Sequence, residues 1–336
     1  MTNERIDWRP HLYEIVIAVN FFIILALTIR NTQSVILTLP YTLLAGGGSM
    51  LIQAAIGIVA RLLIGYVRGN WRDYLAVIRK PAWIVESLRV LLGATLLLHV
   101  YSWIKIAIPL LHPRLFDQQL WDLDRAIFFG ISPNIFFLNL FSNHAVLRAI
   151  DVTYGNIFVA GLSIAISFFL SEPSKRLRVA FITGHVFLWL AGAWLYMLFP
   201  SLGPAFRFPD VWLPYGAEFP TTQRLQALLW MNYSNVLRIN QPGADERPIN
   251  IVLGVAAFPS MHVAFQTFIF LWFRRLWKGG EVLFGIFVFV ISLGAVVTGW
   301  HYFIDVLAGG LLAWIVWAVT SRRYNVIRET HLRAIV

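Results

Sequence analysis

The side chains best suited to chemistry lie in two short segments near the C-terminus. Ala257-Phe258-Pro259-Ser260-Met261-His262 opens one apolar run, and Thr298-Gly299-Trp300-His301-Tyr302-Phe303-Ile304-Asp305 opens the next but one. His301 and Asp305 are spaced i, i+4, which predicts that they share one helix face and touch. A carboxylate there can bond one imidazole nitrogen, fix the tautomer and stabilise positive charge as it develops. The other nitrogen is then free to act as a nucleophile. Two imidazoles and a carboxylate suit phosphoryl transfer, one imidazole attacking phosphorus and the other protonating the leaving oxygen. The same groups could bind zinc or iron, but Asp305 is better placed as a partner of His301 than as a third ligand. A lone histidine at a helix start is more often a structural hydrogen-bond partner. His99, His144 and His185 are read that way, and His11, His112 and His331 as interfacial or solvated.

Both segments must be carried to one place by the elements around them. After His262 the apolar stretch 263–276 descends, Trp277 to Gly280 turn, and 281–300 ascends. Two helices of similar length, at about 1.5 Å per residue, return the chain to its starting depth. His262 and His301 are therefore expected at the same level.

The composition says what that level is measured against. Of 336 residues, 58% are hydrophobic and only 13% charged, whereas a soluble domain carries about a quarter charged residues. Neither an ordinary cytosolic enzyme nor a disordered chain fits. Aromatics reach 15%, with 14 Trp, as where rings sit at a membrane–water boundary. The net charge of +10 is assigned to membrane and not to nucleic acid, because the basic residues flank apolar runs and form no single patch. There is no Cys, which excludes disulfides, thiol catalysis and Cys-ligated zinc.

A spanning helix needs roughly 20 mostly apolar residues. Eight runs qualify, near 11–29, 39–60, 82–111, 150–170, 179–199, 260–273, 281–300 and 302–320. The first has no small-residue cleavage site after it and is expected to stay as an anchor. The stretch 126–141 is broken by Gly130 and Pro133 and is expected to be interfacial or re-entrant. Eight spans put both termini on one side. Seventeen Lys and Arg fall on that side, among them Arg5, Arg9, Arg61, Arg176, Lys278, Arg322, Arg328 and Arg333. Eight fall opposite, including Arg30, Arg114, Arg207 and Arg247, while Arg89 and Lys105 lie inside a span. The positive-inside rule places the termini in the cytoplasm and the histidines on the extracytoplasmic face. The outer side then carries the Pro-rich segment 200–258, in which Gln223 to Ile239 is expected to form an amphipathic surface helix. Its acidic residues Asp210, Glu218, Asp245 and Glu246 could meet polyol hydroxyls or simply be solvated.

The two histidine segments resemble motifs of the type 2 phosphatidic acid phosphatase (PAP2) superfamily, and are most similar to the inositol phosphorylceramide synthase branch. The resemblance is strong over about 196–320 and weaker over 113–195, where Leu115 to Pro133 is similar to a segment of related bacterial proteins. It implies an all-α polytopic membrane protein of about eight helices, six of them (81–320) forming the catalytic bundle. Residues 1–80 would be an added helix pair and 321–336 a cytoplasmic tail. It also implies that His301 is the nucleophile, that Asp305 orients it, and that His262 is general acid and then base. Ser260, Pro259 and Arg207 would bind substrate. Three departures stand out. Met261 replaces the usual Gly, Gly294 and Ala295 replace a Ser-Arg pair, and Phe199-Pro200-Ser201-Leu202-Gly203-Pro204-Ala205-Phe206-Arg207 stands in for the phosphatases' Lys and Arg-Pro motif. Fewer cations fit a singly charged phosphodiester better than a doubly charged monoester. The resemblance therefore implies transfer of a phospho-head group, inositol phosphate first, from a glycerophospholipid such as phosphatidylinositol to a lipid or glycan hydroxyl. No metal or other cofactor is required. A lipid phosphate or pyrophosphate phosphatase, with water as acceptor, uses the same triad. A lipid transporter or scaffold is the non-enzymatic alternative.

Overall fold

The computed structural model describes residues 8–29, 39–239, 249–277 and 279–326. Arg5, Arg30, Asp245, Glu246, Arg247, Lys278, Arg328, His331 and Arg333 lie outside them. The described chain is all helical. In order, its principal helices are α1 (Leu12–Leu27), α2 (Leu39–Arg68), α3 (Trp71–Ile78), α4 (Pro81–Leu111), α5 (Asp117–Ile127), α6 (Pro133–Leu140), α7 (His144–Leu170), α8 (Lys175–Leu198), α9 (Pro220–Arg238), α10 (Met261–Leu276), α11 (Gly280–Val297) and α12 (Phe303–Arg323).

Six of these, α2, α4, α7, α8, α11 and α12, are long and apolar enough to cross a membrane, and the protein is an integral membrane protein of the all-α class. Eight spans are expected from the sequence. The other two, α1 and α10, are helices of 16 residues each, about 24 Å long at 1.5 Å per residue and short of a typical ~30 Å hydrocarbon core. The broken stretch after Arg125 forms the end of α5 and the eight-residue α6, neither of spanning length. The amphipathic helix of the Pro-rich segment is α9, starting at Pro220.

The helix boundaries follow local chemistry. Gly69 (φ +78°) ends α2 in a left-handed conformation that favours glycine. Ser260 caps α10, its hydroxyl accepting from the Val263 amide, and Arg274 and Arg275 occupy the last turn, where cations face the exposed carbonyls.

The chain forms two compact units whose division points fall inside α4, α7, α8 and α12. One comprises Met1–Val100, Leu162–Phe187 and Ala318–Val336. Within it α2 approaches the end of α7 through Gly57, where an added Cβ would lie 2.0 Å from the Ser167 carbonyl oxygen. An Arg61–Glu172 ion pair of 2.7 Å closes the same contact. The other unit comprises Tyr101–Gly161 and Leu188–Trp317 and carries both histidine segments. Its core has one cluster around Leu120, Trp121, Trp212, Val297 and Tyr302, and another around Tyr154, Val263, Ile291, Val296 and Val306.

Candidate active site

Three separate stretches are tied together by backbone hydrogen bonds. The Ala257 amide donates to the Ser201 carbonyl (2.9 Å), the Ala205 amide to the Gly299 carbonyl (2.9 Å), and the Ser260 amide to the Asp305 carbonyl (3.0 Å). The Ser201 hydroxyl also accepts from the Phe258 amide at 3.0 Å. The Pro-rich stretch and the two histidine segments are thus one unit of structure. Glycines permit the approach. Gly203 (φ +103°) and Gly299 (φ +75°) both adopt left-handed conformations, and a Cβ on Gly299 would lie 2.5 Å from the Trp212 ring. Gly309 lets α12 pass the Ser260 carbonyl, 2.4 Å from where a Cβ would stand.

Within this frame the His301 Nε2 and the His262 Nδ1 lie 3.5 Å apart. The imidazole of His262 packs edge-on against Phe158 (centroids 4.3 Å) and lies 5.5 Å from the ring of Tyr154. The His301 Nδ1 lies 2.9 Å from the Ala257 carbonyl oxygen and 3.4 Å from the Asp305 Oδ2. A carbonyl can only accept, so Nδ1 carries the proton and Nε2 holds the lone pair that faces His262. Burial pushes His301 down to about 3, the Ala257 carbonyl opposing and the Lys105 ammonium adding. The ring is therefore neutral, as a nitrogen nucleophile must be.

The expected reason for the His301–Asp305 contact needs correction. The helix begins only at Phe303, so the two residues do not share a helical face. His301 lies in the turn before the helix. Asp305 sits in the first turn and folds back to accept from the Tyr302 amide at 2.9 Å, which brings Oδ2 to the imidazole. The tighter tautomer-fixing partner is the backbone carbonyl of Ala257. Asp305 is completely buried, and its Oδ1 has no hydrogen-bond partner.

The remaining expected site residues are placed as follows. Ser260 is fully buried, its hydroxyl engaged as the α10 cap. Pro259 is buried behind a cis Phe258–Pro259 peptide. Arg207 is exposed, its guanidinium 5.6 Å from the Phe208 ring centroid. Met261 fills the space left by Gly192, where a Cβ would lie 2.1 Å from its sulfur. Gly294 packs on Tyr154, and the Ala295 carbonyl accepts from the His301 amide at 3.0 Å. The other described histidines are engaged elsewhere. His11 pairs with Glu86 (2.9 Å) and is less solvated than expected, and His144 pairs with Glu218 (2.5 Å).

Three positioning residues were not anticipated. Asp117 accepts from the Leu202 and Gly203 amides (2.9–3.0 Å) and from the Tyr302 hydroxyl (2.8 Å). Asp124 accepts from the Phe303 and Ile304 amides (2.6 and 2.8 Å), capping α12. Asn134 donates to the carbonyls of Val296 and His301 (2.8 and 3.0 Å). Burial pushes both aspartates up, Asp124 to about 6, while the amides they accept from pull the other way. The sequence signal was available: Asp117 and Asp124 are seven residues apart, on one face of a short helix.

A family model of the PAP2 superfamily matches residues 118–319, more than half of the chain. The chain belongs to the PAP2 superfamily. Membership carries lipid phosphate chemistry of the phosphatase or phosphotransferase kind. No curated protein and no solved structure matches the chain. The PAP2 match takes in both histidine segments, Asp124, Asn134 and the Pro-rich stretch, and leaves out Lys105 and Asp117.

Proposed function

We propose that this chain is a membrane phosphotransferase working by double displacement through a phosphohistidine on His301. The observation that carries the reading is the lone pair of His301 Nε2 facing His262 Nδ1 at 3.5 Å, with Nδ1 held by Ala257. The phosphoryl group enters by replacing that imidazole–imidazole contact. Nε2 forms a bond to phosphorus, the bond from phosphorus to the diacylglycerol oxygen breaks, and His262 delivers a proton to that oxygen. In the second half an acceptor hydroxyl gives its proton to His262, attacks phosphorus and releases Nε2. Asp305 steadies the charge His301 gains. Ser260 and Pro259 shape the phosphate side of the site, and exposed Arg207 meets the head group at its mouth.

The resemblance to the inositol phosphorylceramide synthase branch points to inositol phosphate as the group transferred. Phosphatidylinositol is then the donor and a lipid or glycan hydroxyl the acceptor. The basic flanks of the apolar runs support cytoplasmic termini and a site on the extracytoplasmic face. Residues 81–320 are the catalytic part. Purified protein given phosphatidylinositol and a ceramide or glycan acceptor should form the acceptor–phosphoinositol product. Release of phosphate from a lipid phosphate monoester, with no transfer from a diester, would make the protein a phosphatase instead.

A further inference from the structure

Lys105 lies on α4, about 9 Å before the end of that helix, and upstream of the family match. An ionisable side chain within a spanning helix points to function, because leaving it in an apolar setting is costly. Its stem packs against Gly254, where a Cβ would lie 2.8 Å from the Lys105 Cγ. The ammonium lies 6.0 Å from the ring centroid of Tyr101 and 5.6 Å from that of Tyr196. Those faces stabilise a cation without neutralising it. Tyr196 in turn lies against the backbone of Met261, the residue before His262. The ammonium is within electrostatic range of both His262 and His301. Among the described residues it makes no hydrogen bond and no ion pair. A lysine that merely snorkels would turn its ammonium away from the protein to water, whereas this half-buried one lies near two rings, beside the imidazole pair.

Resting on the phosphotransfer reading, we infer that Lys105 binds the substrate's phosphate, and that the site is built for a singly charged phosphodiester. A phosphate oxygen between Nζ and the imidazoles would supply the anion that the ammonium lacks. One ammonium balances one negative charge. The second charge of a monoester would enter a half-buried site with no further cation on Lys105's side to meet it.

The test uses the purified full chain in detergent with two chromogenic probes, bis(4-nitrophenyl) phosphate, a monoanion, and 4-nitrophenyl phosphate, a dianion at neutral pH. Attack by His301 on either forms a nitrogen–phosphorus bond and expels nitrophenolate. Wild type should prefer the diester. Lys105→Met should raise KM for it by about tenfold to a hundredfold, the effect of losing one charge-assisted contact. Lys105→Arg should recover most of that loss. Lys105→Met should melt no lower than wild type, because it removes an unpaired, half-buried charge from an apolar helix. An unchanged KM in Lys105→Met, with His301→Ala inactive, would overturn the assignment of Lys105 and leave the nucleophile standing. Preference for the monoester would overturn the charge argument. Wild-type release by His301→Ala would bring down the phosphohistidine reading and this inference together.

Discussion

His301 and His262 are 39 residues apart in the chain and present facing nitrogens 3.5 Å apart. Their contact is made by backbone connections more than by their own side chains. The Ala257 carbonyl holds one imidazole, the Ser260 cap starts the helix that carries the other, and Asp305 bonds both segments through its main chain and its carboxylate.

That division of labour predicts the behaviour of Asp305→Asn. Because the Ala257 carbonyl independently holds the proton on Nδ1, the variant should keep the correct tautomer and lose only charge stabilisation. Turnover should fall by about 10² to 10³, less than the ~10⁴ seen where the carboxylate alone sets the tautomer. Steady-state kinetics on folded variant protein check this. Unchanged turnover would remove Asp305 from the mechanism.

Asp124 predicts a pH dependence of stability. Its carboxyl is raised in the folded chain from 3.8 to about 6, mainly by burial. Between those values the folded protein holds more protons than the unfolded one, so this group's contribution is complete below about pH 4 and is lost as pH rises through about 6. Relative to Asp124→Asn, wild type should therefore lose melting temperature between about pH 4 and pH 6. The loss corresponds to at most about 3 kcal/mol, since a tenfold change in proton affinity is worth ~1.4 kcal/mol. Melting curves in detergent across that range test it. A difference that stays flat or grows in favour of wild type would contradict the burial argument.

Sidedness is testable directly because the chain has no Cys of its own. A thiol reagent that cannot cross membranes should label Ala217→Cys from outside intact cells, and Ser174→Cys only after the membrane is opened. The reverse pattern would place the site on the cytoplasmic face.

Much of the site was legible in the sequence. Two histidine segments separated by a pair of similar-length apolar runs had to return to one depth, and they do. The expected helical pairing of His301 with Asp305 was wrong in detail because i, i+4 spacing says nothing about where a helix starts. Phe303 is its first residue, fixed there by Asp124 from nearly 180 residues upstream. The seven-residue spacing puts Asp117 and Asp124 on one helix face, but their partners, like those of Asn134, are distant in sequence, and no local pattern says which remote groups they will hold. The helix α1 is shorter than its apolar run of 11–29 because hydropathy reads on past a helix end, whereas α10 runs on to Leu276, beyond the stretch 260–273 read for it. Lys105 was visible as a charge inside an apolar run, but only the fold brings it beside the histidines.

The central claim is that phosphorus becomes bonded to His301. Wild-type protein incubated with glycerophospholipids labelled at phosphorus, phosphatidylinositol among them, should be quenched with an acid-labile, base-stable label on His301. His301→Ala should carry none, and His262→Ala should acquire it about 10² to 10⁴ times more slowly, as expected on losing a general acid. A label on another residue, or product formed by His301→Ala at the wild-type rate, would contradict the account.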